Sequence, residues 1–313
     1  MDIIRLTYPF QQQPEATKQV LAIGYFDGVH VGHRQVIGKT RDIAKRGNMP
    51  AAIMTFDPHP REVLGGGKQH PQYITPLAEK LEQFAKTGVE RTYILTFNLT
   101  LSRLTPEQFV HEVLFALQVD TVVVGFNFTY GHLGRGTVDM LREYGGDRMK
   151  VNIVRPFLVD GVRVSSTIVR ELLLAGKPEN AAHSLGRPFS ITGQVIKGQG
   201  RGSTIGIPTA NIQPAEPFLV PKTGVYAVRA THRGTVYDGV MNIGFKPTFD
   251  DNEPEPVLEA HLFGLSSSIY GDTVKVDFIA YLREETRFAS VDALVGQIHA
   301  DIAEAKRILA FTS

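Results

Sequence analysis

Apolar residues fall along this chain in two textures. In the first half, short unbroken apolar runs alternate with stretches of helical period. "QVLAIGYF" (19–26), "PAAIMTF" (50–56), "RTYILTF" (91–97), "DTVVVGF" (120–126) and "KVNIVRPF" (150–157) read as strands. Near-continuous apolar runs suit strands covered on both sheet faces. Residues 31–47 between them have helical spacing. "TPLAEKLEQFAKTG" (75–88) predicts a helix with Thr75 as N-cap, Pro76 in first position and Gly88 at its end. "TPEQFVHEVLFALQ" repeats that start at Thr105–Pro106. Strands alternating with helices predict a parallel α/β sheet with right-handed crossovers.

After about residue 186 the texture changes. "FSITGQVIKG", "TGVYAVRATHRG", "TVYDGVMNIGF", "PVLEAHLFG" and "DTVKVDFIAYLRE" are strand-like runs split by Gly, Asp and Pro, with no helical pattern between them. That predicts an antiparallel sheet or barrel. The chain closes on "SVDALVGQIHADIAEAKRILA", with Ser290 as N-cap and an apolar stripe of Val291, Leu294, Val295, Ile298, Ile302 and Leu309. A short helical stretch, "PENAAHSLG", precedes the boundary, so the expected domains are 1–185 and 186–313.

Composition narrows the possibilities. Length (313 residues) also suggests two domains, and 42% hydrophobic with 21% charged residues is ordinary for a globular chain. There are no cysteines, which excludes disulfides, thiolate metal sites and a cysteine nucleophile. Lys plus Arg (33) nearly cancels Asp plus Glu (32), so no global field attracts nucleic acid or anionic lipid. The N-terminus lacks a signal-peptide pattern, and no apolar run reaches the roughly 18 residues a membrane helix needs. The expectation is a soluble cytoplasmic protein with small-molecule partners, no nucleic-acid or membrane partner, and an oligomeric state the sequence leaves open.

The chemistry concentrates at "AIGYFDGVHVGH", where a predicted strand turns into a predicted helix. Ligands of open α/β sheets bind beyond the carboxyl ends of strands. Gly24, Gly28 and Gly32 let backbone approach a ligand, and a helix beginning near Val31 offers free N–H groups to a phosphate. His30 and His33 are three apart and share a face of the first turn. There they can donate to phosphoryl oxygens where charge develops. A glycine-rich turn with incidental histidines, or a zinc pair without its third ligand, are the competing readings.

"GYFDGVHVGH" resembles the G-x-F-D-x-x-H-x-G-H signature of the HxGH nucleotidylyltransferases. "TFDPHP" (55–60), "VVGFNFTYGHLGRGT" (123–137) and "VSSTIVRELLLAGK" (164–177) resemble, in order and spacing, the adenylyltransferase half of the prokaryotic bifunctional riboflavin kinase/FMN adenylyltransferases (FAD synthetases). "GQGRGSTIGIPTANI", "TGVYAV", "NIGFKPTF" and "LEAHLF" resemble the kinase half, so the likeness covers nearly the whole chain. It implies a Rossmann-like nucleotidylyltransferase domain followed by a β-barrel kinase domain with a C-terminal helix. It also implies Mg2+, with ATP, riboflavin, FMN and FAD as substrates and products.

The resemblance further implies site residues. His30 and His33 would brace the α-phosphoryl group, with Gly24, Phe26, Asp27 and Gly32 shaping the nucleotide loop. Asn127 would lie near the nucleotide, and Ser166, Thr167 and Arg170 would hold its outer phosphates, unless the hydroxyls merely cap a helix. Asp57 and His59 are exposed by Pro58 and Pro60, or sit in a rigid loop. Glu259 matches the kinase family's general base, and on a strand it shares a face with His261. Thr209 and Asn211 would hold Mg2+, and Gly198, Gly200, Arg201 and Gly202 would wrap the nucleotide. Ser203 stands where the family usually has Arg, and Ile207 where it usually has Phe. That leaves open an enzyme with a weakened kinase half, making FAD only. A flavin-binding regulatory module is the reading from another class.

Overall fold

The structure is a computed structural model that describes residues 1–65, 72–159, 161–198, 206–245 and 256–311. The chain divides into two compact units, Met1–Ser165 and Ser166–Ser313.

The first unit alternates as its sequence predicts. The order is β1 (Asp2–Thr7), β2 (Gln19–Ile23), α1 (Val31–Gly47), β3 (Ala51–Asp57), α2 (Pro60–Leu64), α3 (Leu77–Ala85) and β4 (Arg91–Thr96). Then come α4 (Leu99–Ser102), α5 (Pro106–Gln108), β5 (Val119–Gly125), α6 (Val138–Gly145), β6 (Lys150–Val154) and a hairpin of β7 (Leu158–Val159) with β8 (Val162–Arg163). β1–β6 form one sheet, ordered β1-β4-β3-β2-β5-β6 and parallel throughout. Successive strands leave β2 on one side through β3, and β5 pairs on its other side. The sheet therefore reverses direction between β2 and β5, and the crevice at their carboxyl ends is where such sheets bind ligands. Alternation along β2 sends Leu21 and Ile23 into one core and Val20 and Ala22 into the other, which explains its unbroken apolar run.

Three details depart from the sequence expectation. β1 lies at the sheet edge with an alternating half-exposed pattern, so a search for continuous apolar runs passes over it. Pro76, not Thr75, occupies the cap position of α3 and, having no side-chain acceptor, makes no side-chain capping bond, while the Thr75 N–H donates to Asp27 Oδ1. α3 also stops at Ala85, before Gly88. The Thr105 start holds as a full capping box with Gln108, but α5 widens after one turn into a π-helix, Phe109–Leu114.

The second unit opens with α7 (Ser166–Leu174) and α8 (Pro178–Leu185). It continues with β9 (Phe189–Ile196), β10 (Ala210–Pro214), β11 (Gly224–His232), β12 (Thr235–Phe245), β13 (Pro256–Leu262) and β14 (Thr273–Arg283), and closes on α9 (Val291–Ala310). The six strands form a closed antiparallel barrel, β10-β13-β12-β11-β14-β9. Ser290 caps α9 by accepting from the Ala293 N–H. The C-terminal half of α9 packs Ala305 and Leu309 on Ala227, Val240 and Ala280 of the barrel wall. The Leu294 and Ile298 half of the stripe instead roofs a cavity.

Leu309 is 1% exposed, so Leu309→Ala loses both burial and packing. It should cost about 2–5 kcal/mol, read as a lower midpoint in urea unfolding of the C-terminal unit.

Candidate active sites

The loop that leaves β2 is bent against ordinary backbone preference. Phe26 (φ 57°) and Val29 (φ 42°) are non-glycine residues in the left-handed region, where strain is kept only if the surroundings enforce it. A Cβ on Gly24 would meet the Phe26 ring at 3.0 Å, so this glycine makes room for a side chain of the loop itself. The ring then stands edge-on to His33 (5.2 Å) and Phe84 (5.7 Å). Asp27 is buried, and its Oδ1 accepts the Thr75 N–H at 3.1 Å, tying the loop to the entry of α3.

His30 is the N-cap of α1, and its Nδ1 accepts the His33 N–H at 3.1 Å. An acceptor Nδ1 places the proton of the neutral ring on Nε2. The two imidazoles stack with centroids 3.5 Å apart and planes 16° apart, above Gly32 in the first turn. Burial, His30 and Lys80 together hold the His33 pKa well below the usual histidine value. His33 Nδ1 is buried and has no hydrogen-bond partner among the described residues. His33 is thus held neutral, and His30, accepting through Nδ1, is left to donate through Nε2, which suits a phosphoryl oxygen.

Asn127 lies exposed in the turn after β5, on the other side of the sheet's switch point from the histidine loop. The "PHP" segment is no plain loop: His59 caps α2, its Nδ1 accepting the Arg61 N–H at 3.0 Å, and its ring packs on Tyr25 at 4.2 Å. Asp57 pairs with Arg5 at 3.6 Å across the exposed sheet edge. Ser166 and Thr167 form the first turn of α7, with Arg170 one turn on, in the second compact unit.

A feature the sequence reading missed lies beside these loops. A cavity of about 280 Å3 is walled by Phe56, Phe97, Phe109, Phe128 and Tyr130. The alternating aromatics of "FNFTY" were the available signal. The Tyr130 hydroxyl is buried with no partner among the described residues, and burial keeps it protonated. The cavity is mostly apolar, with Ser102, Thr129 and His132 also in its lining.

In the barrel unit, pairing register does the positioning. Asn211 faces Glu259, and Glu259 faces Asn242, in one row across β10, β13 and β12. Directly paired residues project to the same face, here the outer one, since Leu258 and Ala260 beside Glu259 are buried. Glu259, His261 and Thr209 line a cavity of about 540 Å3 roofed by Leu294, Ile298 and Phe288. The His261 Nδ1–H donates to the Pro208 carbonyl at 2.8 Å, pinning the segment that carries Thr209 and Asn211. A Cβ on Gly198 would lie 2.0 Å from Asn211 Nδ2, so only glycine admits that amide. Ile207 also lines the cavity. Arg283 clamps Asp301 of α9 with Nε at 2.9 and 3.1 Å and Nη2 at 2.7 Å, holding the roof to the wall. Gly200, Arg201, Gly202 and Ser203 fall outside the described residues.

Comparison with known proteins agrees with this division. Residues 12–168 match the family model for FAD synthetase, and residues 185–309 that for riboflavin kinase. The bifunctional riboflavin kinase/FMN adenylyltransferase of Bacillus subtilis is 40% identical over 98% of both chains. The protein of that name from Escherichia coli is 36% identical over 100% of this chain and 99% of its own. This chain belongs to the bifunctional riboflavin kinase/FMN adenylyltransferase family. Its α/β and barrel units are the two family domains in their order. A crystal structure described as a macrolide-efflux protein from Streptococcus pneumoniae also matches, with 32% identity, a TM-score of 0.88, and coverage of 97% of this chain and 99% of that one. Among the described residues, no helix of this family member is long and apolar enough to cross a membrane.

The depressed His33 pKa has a sign that can be tested. Below the ordinary histidine value of about 6.5 the unfolded chain takes up a proton that folded His33 refuses, so stability falls as pH falls through that value. His33→Asn should flatten this dependence in denaturant unfolding measured across pH.

Proposed function

We propose that the chain makes flavin cofactors in two steps, phosphorylating riboflavin with ATP to FMN and then adenylylating FMN with ATP to FAD and pyrophosphate. The observation that supports this is that the first unit holds a stacked histidine pair and an aromatic cavity while the barrel unit holds a cavity lined by a carboxylate, and the two suit different nucleophiles. We assign adenylyl transfer to residues 1–185 and phosphorylation to 186–313.

In adenylyl transfer the FMN phosphate oxygen attacks the α-phosphorus and pyrophosphate leaves. The nucleophile is already anionic, so no base is needed and the site works by positioning and charge stabilisation. His30 and His33 donate to the α-phosphoryl oxygens. Ser166, Thr167 and Arg170 hold the departing phosphates, Asn127 holds the nucleotide, and the aromatic slot takes the flat flavin ring.

Phosphorylation differs, because the ribityl hydroxyl is neutral. It attacks the γ-phosphorus while Glu259 takes its proton, and ADP leaves. The hydroxyl of Thr209 and the amide oxygen of Asn211 suit a hard cation, and few protein ligands suffice for Mg2+, which keeps waters and phosphates around it. Bound there, Mg2+ neutralises phosphate charge. The glycine-rich stretch from Gly198 wraps the nucleotide. An enzyme that makes only FAD is disfavoured, because Thr209, Asn211 and Glu259 are all present around one cavity or strand row.

His30→Ala with His33→Ala should abolish FAD formation from FMN and ATP while FMN formation from riboflavin continues. Glu259→Gln should do the reverse, cutting FMN formation by about 10²–10⁴-fold with FAD formation from supplied FMN intact. Equal loss of both products in either variant contradicts the two-site assignment.

A further inference from the structure

The outer row that carries Glu259 runs further than the kinase chemistry uses. Pairing register continues it from Asn211, Glu259 and Asn242 to Val225 on β11 and Arg283 on β14. Glu285 follows Arg283 by two residues, lines the same cavity and is itself exposed. Asn242 Nδ2 donates to Glu285 Oε1 at 3.2 Å, so the amide paired with Glu259 holds a second carboxylate. The neighbouring backbone makes room for it. A Cβ on Gly244 would collide with Glu285 Oε1 and lie 3.4 Å from Asn242 Nδ2. Gly244 is not among the residues with positive φ, so the carboxylate, and not the path of the chain, requires glycine there. One wall of the cavity is apolar, with Val225, Val240, Leu294 and Ile298. The site thus faces its ligand with an apolar side and, next to it, a row of fixed acceptors.

We propose that Glu285, held by Asn242, recognises the inner hydroxyls of the ribityl chain, so that the kinase unit selects a flavin carrying a polyol over one without it. This rests on the kinase reading above. Two carboxylates on one cavity need different work, and the row separates them. Asn211 lies on one side of Glu259 and Asn242 on the other. With phosphate and Mg2+ at Asn211, the Asn242 side is the one where a carboxylate meets no phosphate charge. Neighbouring strands lie about 4.8 Å apart, the reach of about three or four carbon–carbon bonds. With the terminal hydroxyl at Glu259, an acceptor beside Asn242 therefore meets a hydroxyl nearer the ring. A carboxylate only accepts, and it offers more lone pairs than the Asn242 amide uses. Hydroxyls bond to it more strongly than to a neutral acceptor. The inner hydroxyls do not react, so these bonds are alike in the bound substrate and the transition state. Such uniform binding shows in KM and not in kcat.

The test compares full-length wild type, Glu285→Ala and Glu285→Gln for FMN formation from riboflavin and ATP. Lumiflavin, the same ring system with a methyl group in place of the ribityl chain, is titrated in as a competitive inhibitor, so that only the kinase site is read. Circular dichroism and FAD formation from supplied FMN report folding. Glu285→Ala should raise KM for riboflavin about fivefold or more while kcat stays within about threefold and the lumiflavin inhibition constant within about twofold. Glu285→Gln keeps the shape and loses the charge, and its KM should fall between the two. If lumiflavin does not inhibit the wild type, KM and kcat decide. A folded Glu285→Ala protein with wild-type KM overturns the proposal. So does an equal rise in KM and the lumiflavin constant, or a loss confined to kcat. Failure of the underlying reading shows separately, as FMN formation that survives Glu259→Gln.

Discussion

Two imidazole rings stacked 3.5 Å apart cannot both carry charge at modest cost, and the N-terminal unit is organised around that constraint. The stack exists because His30 turns its Nδ1 back to cap α1 and accept from the third residue of the turn. That bond fixes the tautomer, and the tautomer fixes which nitrogen donates. The strained backbone at Phe26 and Val29 and the bare Gly24 then make sense as what is needed to bring Phe26 against His33. The same constraint suits chemistry with an anionic nucleophile, where a base has no work and a second proton on the pair would disturb its donors.

The barrel unit solves a different problem with different means. Pairing register lines up Asn211, Glu259 and Asn242 across three strands, and in the function we propose Glu259 is the base for a neutral nucleophile. The outer face of a barrel is normally wet. Here α9 covers it, docked by Leu309 at one end and clamped by the Arg283–Asp301 pair near the cavity. Helix and ion pair together make an outward carboxylate one wall of a cavity.

Much of this is written locally and is legible in the sequence. The strands buried on both faces announce themselves by unbroken apolar runs, and α1 and α9 by capping and period. The histidine pair and Glu259 stand in motifs whose spacing survives folding. What escaped reading depends on partners distant along the chain. β1 is a half-exposed edge strand that gains its identity only from pairing with β4. The entry to α3 is tied by the Thr75 N–H to Asp27, far earlier in the chain, a bond that helix-start signals do not show. The aromatic slot gathers Phe56, Phe97, Phe109 and Phe128 from separate segments. Lys80 looks like one more helical surface charge until the fold buries it.

The central claim is that the histidine pair is neutral in the folded protein near neutral pH, with His30 protonated on Nε2. Nitrogen-15 spectra of histidine-labelled protein near neutral pH test it directly. The account predicts neutral-ring signals for both residues, with the Nε2–H pattern for His30. An imidazolium signal from either, or an Nδ1–H pattern for His30, would contradict it.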